Sequence, residues 1–195
     1  MINKSEVLIF SLSFLIGFIF TALFLGLSNI GLENTDWFTS YDLKSDLLAF
    51  KFFLNDNWRF PIGLNPNYGE ILNSIVFSGA VPIFSFISKL LKSILPENFH
   101  FFSIWIILCF SLQFLFGYKI IYYLTKDNIY SLLAGLFFLI SPILIYRLNF
   151  HLSLGAHWLI LAAILLDIDK NQKHVLIKKI FLIVFSSLVH FYFTI

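Results

Sequence analysis

Cysteine, methionine and charged residues are all scarce in this sequence. Its 195 residues include one cysteine and one methionine, and only 12% are Asp, Glu, Lys or Arg. The single Cys109 excludes a disulfide-stapled scaffold, and the low charge excludes a disordered chain. A net charge of +2 with dispersed basic residues gives no basis for nucleic-acid binding. Walker, dinucleotide-binding, Gly-x-Ser-x-Gly and Cys-x-x-Cys motifs are absent, so nucleotide hydrolysis and redox chemistry have no support.

Apolar sequence is abundant instead. Hydrophobic residues make up 59% of the chain, Phe occurs 26 times, and the mean hydropathy is +0.87. Soluble domains are typically about 45–50% apolar and about 25% charged, so the composition predicts an all-α, polytopic membrane helical bundle. Five apolar blocks are predicted to cross the bilayer: 7–27, 101–124, 129–146, 152–168 and 180–195.

The first block is either a signal peptide or a membrane span. Lys4 precedes it, as a basic residue precedes the apolar region of a signal peptide. However, the apolar stretch is longer than is usual for that region, and residues 26–29 form a poor cleavage site. We therefore expect an uncleaved first span.

A sixth block, 71–95, is long enough to span, but Pro82 interrupts it. After this proline the side chains divide between two helical faces, a pattern typical of a helix that lies in the membrane interface. The apolar face contains Ile83, Ile87, Leu90, Leu91 and Ile94, and the polar face contains Ser85, Ser88, Lys89 and Lys92.

The placement of lysines favours the interfacial alternative. If block 71–95 spanned the membrane, the loop 169–179 with its four lysines would lie outside, against the positive-inside rule. If the block lies on the surface, this loop is cytoplasmic together with Lys119 and Lys126. We therefore predict about five spans, a cytoplasmic N-terminus and an external loop over residues 28–98. The bias towards Lys over Arg and towards Ile, Asn and Phe suggests an AT-rich bacterial genome, so we expect a bacterial inner (plasma) membrane.

The external loop carries most of the acidic residues, seven of the eleven in the chain. Residues 42–54 are predicted to form a second interfacial amphipathic helix, preceded by a capping segment at 39–42. Asp42 in its first turn feels the positive end of the helix dipole and tends to stay ionised. Asp46 lies one turn later and could face the same side. Both could instead be solvated or merely capping.

Two further segments offer binding groups. Trp58, Phe60 and Tyr68 lie in a turn-rich stretch and either stack on a sugar or form an interfacial aromatic belt. Arg147 follows the third span and either binds a lipid-linked phosphate or extends to the membrane surface. His151 could add a donor or titrate near neutral pH. It lies six residues from His157, so the two histidines do not form a metal pair on one helix face.

Several motifs now resemble the N-terminal half of GT-C-type membrane glycosyltransferases, and most closely a group of bacterial multispan proteins of GT-C character. The resemblance covers almost the whole chain. Its motifs are Asp36-Trp37, Asp42, Phe52-Phe53, Trp58-Arg59-Phe60-Pro61-Ile62-Gly63, Asn67-Tyr68-Gly69, Ser141-Pro142, Arg147, His151 and His157-Trp158.

This resemblance implies transfer of a sugar from a polyprenyl-phosphate donor to an acceptor on the outer face, by inverting displacement. It implies Asp42 as the catalytic carboxylate and Asp36 as the reserve. It also implies substrate binding by a wider set: Arg147, His151, Asp46, Trp58 and Tyr68. A divalent cation is possible where the family uses one. Two departures are that Leu43 follows Asp42 where many relatives have Glu, and that the second external turn has no acid.

Other classes of function remain open at this point. Residues 1–195 are expected to be part of a longer chain, because apolar sequence continues to Ile195 and the resemblance covers the beginning of longer proteins. A transporter or lipid-handling protein would place polar groups near mid-membrane in broken helices, whereas here they lie in the external loop and at span ends. A non-catalytic protein that retains the fold is the third alternative.

Overall fold

The computed structural model describes residues 4–69, 73–169 and 173–194, and within these ranges every regular element is helical. This confirms the all-α class. The α-helices are α1 (Lys4–Leu25), α2 (Tyr41–Asn55), α3 (Pro82–Leu90), α4 (Phe102–Thr125), α5 (Asn128–Leu139), α6 (Pro142–Phe150), α7 (Trp158–Ile168) and α8 (Val175–Val189). Short 3-10 turns lie at Leu27–Asn29, Ile75–Phe77, Lys92–Ile94, Leu152–Gly155 and Phe191–Thr194.

Helix α4 is the centre of the bundle and packs against α1, α5 and α7, while α7 also contacts α8. The contact between α1 and α4 is made by Ser13, Gly17 and Thr21, which follow one another at intervals of four and are buried. Small residues let two helix backbones approach closely, and Ser111 of α4 occupies the space that a side chain on Gly17 would need. Other apolar side chains of α1, such as Leu8, Leu15 and Leu23, are exposed, as expected of a membrane span.

Spanning length is reached by fewer helices than predicted. Among the described residues, α1 and α4 are long and apolar enough to cross a membrane, and α5 with α6 would form a third span bent by 40°. The bend occurs at Pro142, which lacks an amide hydrogen and disfavours helix at the preceding residue. The predicted spans 152–168 and 180–195 contain shorter helices instead, α7 with 11 residues and α8 with 15. The structure thus supports two or three of the five spans.

The described part of the first loop, 28–69 and 73–98, is folded and contains two α-helices, α2 and α3. Helix α2 begins at Tyr41, and the Ser40 hydroxyl at its N-cap accepts a hydrogen bond from the Leu43 backbone at 3.2 Å. Phe38, Phe50 and the neighbouring aromatic residues are buried above the start of α4. Helix α2 packs against α3 and α6, so the loop is joined to the later part of the chain.

Helix α3 is nine residues long. At 1.5 Å per residue it extends about 14 Å, less than half of the bilayer core, so it does not cross the membrane. Its polar residues Ser85 and Lys89 are buried, whereas Leu90 on the opposite face is 71% exposed. The apolar face thus points outward, the reverse of a helix on a water-soluble protein.

Candidate functional site

A cavity of about 350 Å³ lies where the first loop meets two later segments of the chain. Helix α2 contributes Asp46, α6 and the turn after it contribute Arg147 and His151, and the segment after α8 contributes His190. The complete lining is Asp46, Phe77, Gly79, Arg147, His151, Ser153, Leu154, His190 and Tyr192. Residues far apart in the sequence therefore form one polar chamber at the end of the helical bundle.

Asp46 is the buried acid of this cavity, with 7% of its surface exposed. Burial is the main cause that raises its pKa from 3.8 to about 7, and repulsion from the Asp42 carboxylate also raises it. Interaction with the backbone N–H groups of Gly79 and Leu152 favours the charged form and offsets part of this rise. No described residue forms a hydrogen bond with Asp46 Oδ2. The carboxyl group can therefore take up or release a proton around neutral pH.

Gly79 allows the Asp46 carboxyl group to sit directly against the backbone of the first loop. A Cβ atom at this position would lie 2.6 Å from Asp46 Cγ and closer still to both carboxylate oxygens. Any side chain on Gly79 would therefore displace the carboxyl group. The absence of a side chain at position 79 leaves the space that the Asp46 carboxyl group occupies.

Arg147 and His151 enter the cavity from the C-terminal end of α6. Arg147 lies in the last turn of α6, and its carbonyl oxygen accepts a 2.7 Å hydrogen bond from the His151 backbone. This bond fixes the spacing between the two side chains. Within the described ranges no carboxylate forms an ion pair with the Arg147 guanidinium. Its charge is thus available for an anionic ligand.

His190 adds a second imidazole at the end of α8. Its Nδ1 accepts a hydrogen bond from the Tyr192 backbone N–H at 3.3 Å. A ring nitrogen that accepts a hydrogen bond carries no proton, so the neutral His190 ring carries its proton on Nε2. Ser153 also lines the cavity, and its buried hydroxyl finds no partner among the residues the structure describes. Unpaired polar atoms buried in one cavity are typical of a site that binds a polar ligand or water.

The structure brings together three of the residues predicted from the sequence, Asp46, Arg147 and His151. Asp42, the carboxylate implied by the resemblance, is half-buried one turn before Asp46 and does not line the cavity. Asp36 is exposed in the turn before α2, where its backbone N–H donates to Asn34 Oδ1 at 2.9 Å. Of the three acids named from the sequence, Asp46 is the one that lines the cavity.

Trp58 and Tyr68, the two aromatic residues predicted to bind substrate, contact other residues of the first loop. Trp58 is half exposed, and its ring lies 4.9 Å from the Lys89 ammonium group, a cation–π distance. The Tyr68 hydroxyl is hydrogen-bonded to Ser45, and its ring centroid is 5.9 Å from that of Phe52. Neither side chain lines the cavity.

His190, Tyr192 and Gly79 belong to the site but were not predicted as site residues. From the sequence alone, the position of His190 near Tyr192 favours polar contacts between helices rather than a binding site. A signal was present, however, because the predicted topology places His190 and Arg147 on the same side of the membrane. Gly79 carries no such signal, since its role depends on a contact with Asp46 in another element.

The cavity does not fit a divalent cation. Its lining offers one carboxylate beside an arginine and two histidines, whereas Mg²⁺ and Ca²⁺ are bound mainly by several oxygen ligands. Across the described ranges, no group of three or more His, Cys, Asp or Glu is arranged to hold a metal ion.

Comparison with known proteins identifies a family without indicating an activity. No curated protein and no solved structure matches the chain significantly. One family model, described as a domain of unknown function, DUF6311, matches residues 14–195. This match covers nearly the whole chain, including every residue of the cavity. The chain therefore belongs to the DUF6311 family.

Proposed function

We propose that this chain is the N-terminal part of an integral-membrane glycosyltransferase of GT-C type, which transfers a sugar from a polyprenyl-phosphate donor on the extracytoplasmic face. One observation carries the proposal. A buried carboxyl group with a pKa of about 7 shares a cavity with an arginine that has no carboxylate partner among the described residues. Together they provide a proton acceptor and an anion-binding group, which transfer from a phosphate carrier requires.

The two groups have complementary roles in the proposed reaction. Asp46 removes the proton from an acceptor hydroxyl while the oxygen forms a bond to the anomeric carbon of the sugar. The bond from that carbon to the phosphate oxygen breaks at the same time, and the electron pair leaves with the lipid phosphate. Arg147 stabilises the negative charge on the departing phosphate, and His151 adds a hydrogen-bond donor. The configuration at the anomeric carbon is inverted.

The proposed topology has five spans and a cytoplasmic N-terminus in a bacterial inner membrane, with residues 28–98 outside and 169–179 inside. Support comes from the cavity, whose acidic, arginine and histidine side chains come from three segments that this topology places on one side. The outward apolar face of α3 also fits a helix in the membrane interface. In this arrangement α7 and α8 are completed as spans by the turns that adjoin them.

Cysteine labelling tests the topology. In a background with Cys109 replaced by Ala, we expect a membrane-impermeant maleimide added outside intact cells to label Lys92→Cys but not Lys173→Cys. Both positions are exposed, so accessibility is set by the side of the membrane. After the membrane is permeabilised, both variants should be labelled. Labelling of Lys173→Cys alone in intact cells would reverse the orientation.

A transfer assay tests the proposed activity. Full-length protein in proteoliposomes is supplied with a panel of polyprenyl-phosphate sugars carrying radiolabelled sugar and with cell-envelope acceptors. We expect label to leave the lipid fraction for one donor of the panel, and not with the Asp46→Asn variant. If no donor is consumed, or if both proteins consume it equally, the glycosyltransferase proposal fails.

Replacement of Gly79 tests the geometry of the site without changing its charge. Gly79→Ala should reduce sugar transfer by about 100-fold, the effect expected when a reacting group moves by about 1 Å. Membrane insertion should be unchanged. Gly31→Ala is the matched control, because a Cβ there would make only ordinary contact with Asn34, at 3.7 Å. Equal activity of the two variants would show that contact with Gly79 does not position Asp46.

A further inference from the structure

We propose that an anionic phospholipid occupies a second, larger crevice at the opposite end of the bundle. This crevice has a volume of about 930 Å³ and lies between α1, α4, α7 and α8. It shares no residue with the cavity around Asp46. The proposal does not depend on the glycosyltransferase activity. In the proposed topology the crevice opens to the cytoplasmic leaflet.

The depth of the crevice matches one leaflet of a membrane. Its lining follows the whole of α7, from Trp158 at the start of the helix to Asp169 immediately after its end. The 11 residues of α7 extend about 17 Å, close to half of a hydrocarbon core about 30 Å thick. A ligand that fills the crevice therefore needs an apolar part about one leaflet long.

The deep wall of the crevice is apolar and largely aromatic. The rings of Phe116 and Trp158 are nearly parallel with centroids 6.0 Å apart, and Phe185 packs against the same indole at 5.8 Å. Ala162 and Leu165 continue the wall along α7. This surface favours a hydrocarbon chain and disfavours a polar solute.

The mouth of the crevice is charged. Helices α1 and α8 begin at this end, and α4 and α7 finish there, so their terminal residues surround the opening. Three lysines of the lining, Lys119, Lys126 and Lys178, outnumber its two carboxylates, Glu6 and Asp169. Such an opening attracts a negatively charged headgroup.

The change from charged residues at the mouth to apolar residues at depth indicates which kind of molecule occupies the crevice. A further helix would present an apolar surface through the full thickness of the bilayer, whereas this crevice changes from lysine to aromatic residues within one leaflet. A neutral lipid would satisfy the wall but would offer no negative charge to Lys119 and Lys126, which form no ion pair with a carboxylate among the described residues. An anionic phospholipid satisfies both parts.

Trp158 is a built-in reporter of occupancy, because it lines the crevice and bromine atoms on lipid acyl chains quench indole fluorescence. We expect brominated phosphatidylglycerol to quench the fluorescence of the protein in phosphatidylcholine nanodiscs more strongly than brominated phosphatidylcholine at the same mole fraction. Trp158→Phe should remove this difference. Lys119→Gln together with Lys126→Gln should weaken the apparent affinity for phosphatidylglycerol by about 30-fold.

The matched control is Lys173→Gln together with Lys179→Gln, which removes the same charge from the same end of the molecule without altering the lining. It should retain the preference for phosphatidylglycerol. Equal quenching by the two lipids in the wild-type protein, or equal loss in both double variants, would overturn the proposal. The absence of quenching by either lipid would show that protein closes the crevice, which overturns it as well.

Discussion

Asp46→Asn is expected to reduce sugar transfer by about 100- to 10,000-fold, the contribution typical of a general base. Asparagine keeps the size and much of the polarity of the side chain but cannot take up the acceptor proton. The measurement is the initial rate of transfer from the labelled donor in proteoliposomes, with equal amounts of inserted protein. An unchanged rate would remove Asp46 from the reaction.

Asp42→Asn is the control for this experiment, because Asp42 is one turn away on the same helix and lies outside the cavity. The Asp42 carboxylate is one of the causes that raise the pKa of Asp46. Its removal should lower that pKa while leaving the maximal rate nearly unchanged. Since the base must be ionised, wild-type transfer should fall tenfold per pH unit well below pH 7, and the variant should lose activity only at lower pH. If Asp42→Asn abolishes transfer and Asp46→Asn does not, the assignment implied by the family resemblance is correct.

Asp46→Asn should also stabilise the folded protein at high pH. The rise of the Asp46 pKa from 3.8 to about 7 means that ionising this carboxyl group costs about 4 kcal/mol more in the folded protein than in the unfolded chain. Between these two pH values the folded state binds more protons than the unfolded state, so stability decreases as the pH rises through this window. The variant lacks this decrease.

Thermal unfolding in detergent at several pH values measures this difference. The variant should unfold at a higher temperature than the wild type above pH 7, and the difference should narrow as the pH falls towards 4. A pH-independent difference between the two proteins would show that Asp46 is not held in a charge-disfavouring environment. If Asp46 serves function, its replacement should lower activity and raise the stability of the folded protein. If Asp46 serves structure, its replacement should lower the stability of the folded protein.

Local features of the fold were predictable because they depend on short-range sequence. The capping segment predicted at 39–42 contains the observed N-cap of α2, Ser40, whose hydroxyl accepts a hydrogen bond from the Leu43 backbone N–H. The division of α3 into two faces after Pro82 follows from its 3.6-residue period. Apolar length alone predicted α1 and α4, the two described helices that are individually long and apolar enough to cross a membrane.

Long-range features were not predictable from the pattern. The first turn of α2 favours Asp42 as an ionised acid, and nothing in that spacing shows that Asp46 is pressed against Gly79. The direction of α3 was also open, because the pattern defines two faces but does not say which one meets protein. Lys89 is turned inward because Phe53 and the Asn57 carbonyl oxygen accommodate its ammonium group.

The predicted membrane topology connects the local sequence features with the long-range contacts of the cavity. The lysines predicted the side of each loop without any knowledge of contacts, and the cavity is formed by residues that this prediction places together. The first loop packs on the end of the bundle, and this packing buries Asp46. It also leaves Arg147 without a carboxylate partner among the described residues. The chemistry of the site is therefore a property of the packing rather than of any one motif.

Arg147→Gln should lower kcat/KM for the polyprenyl-phosphate donor by about 30-fold or more, because a charged hydrogen bond to an anion contributes about 2 kcal/mol. Arg147→Lys should have an intermediate effect, since lysine keeps the charge but loses the planar pair of donors. The sequence supplies a matched control in its only other arginine, Arg59. That side chain is paired with Asp56 at 2.7 Å and lies outside the cavity, so Arg59→Gln should leave donor use nearly unchanged. Equal effects of Arg147→Gln and Arg59→Gln would show that Arg147 does not bind the donor and only extends to the membrane surface. A loss confined to Arg147→Gln, largest at low donor concentration, would place the donor phosphate in the cavity beside Asp46.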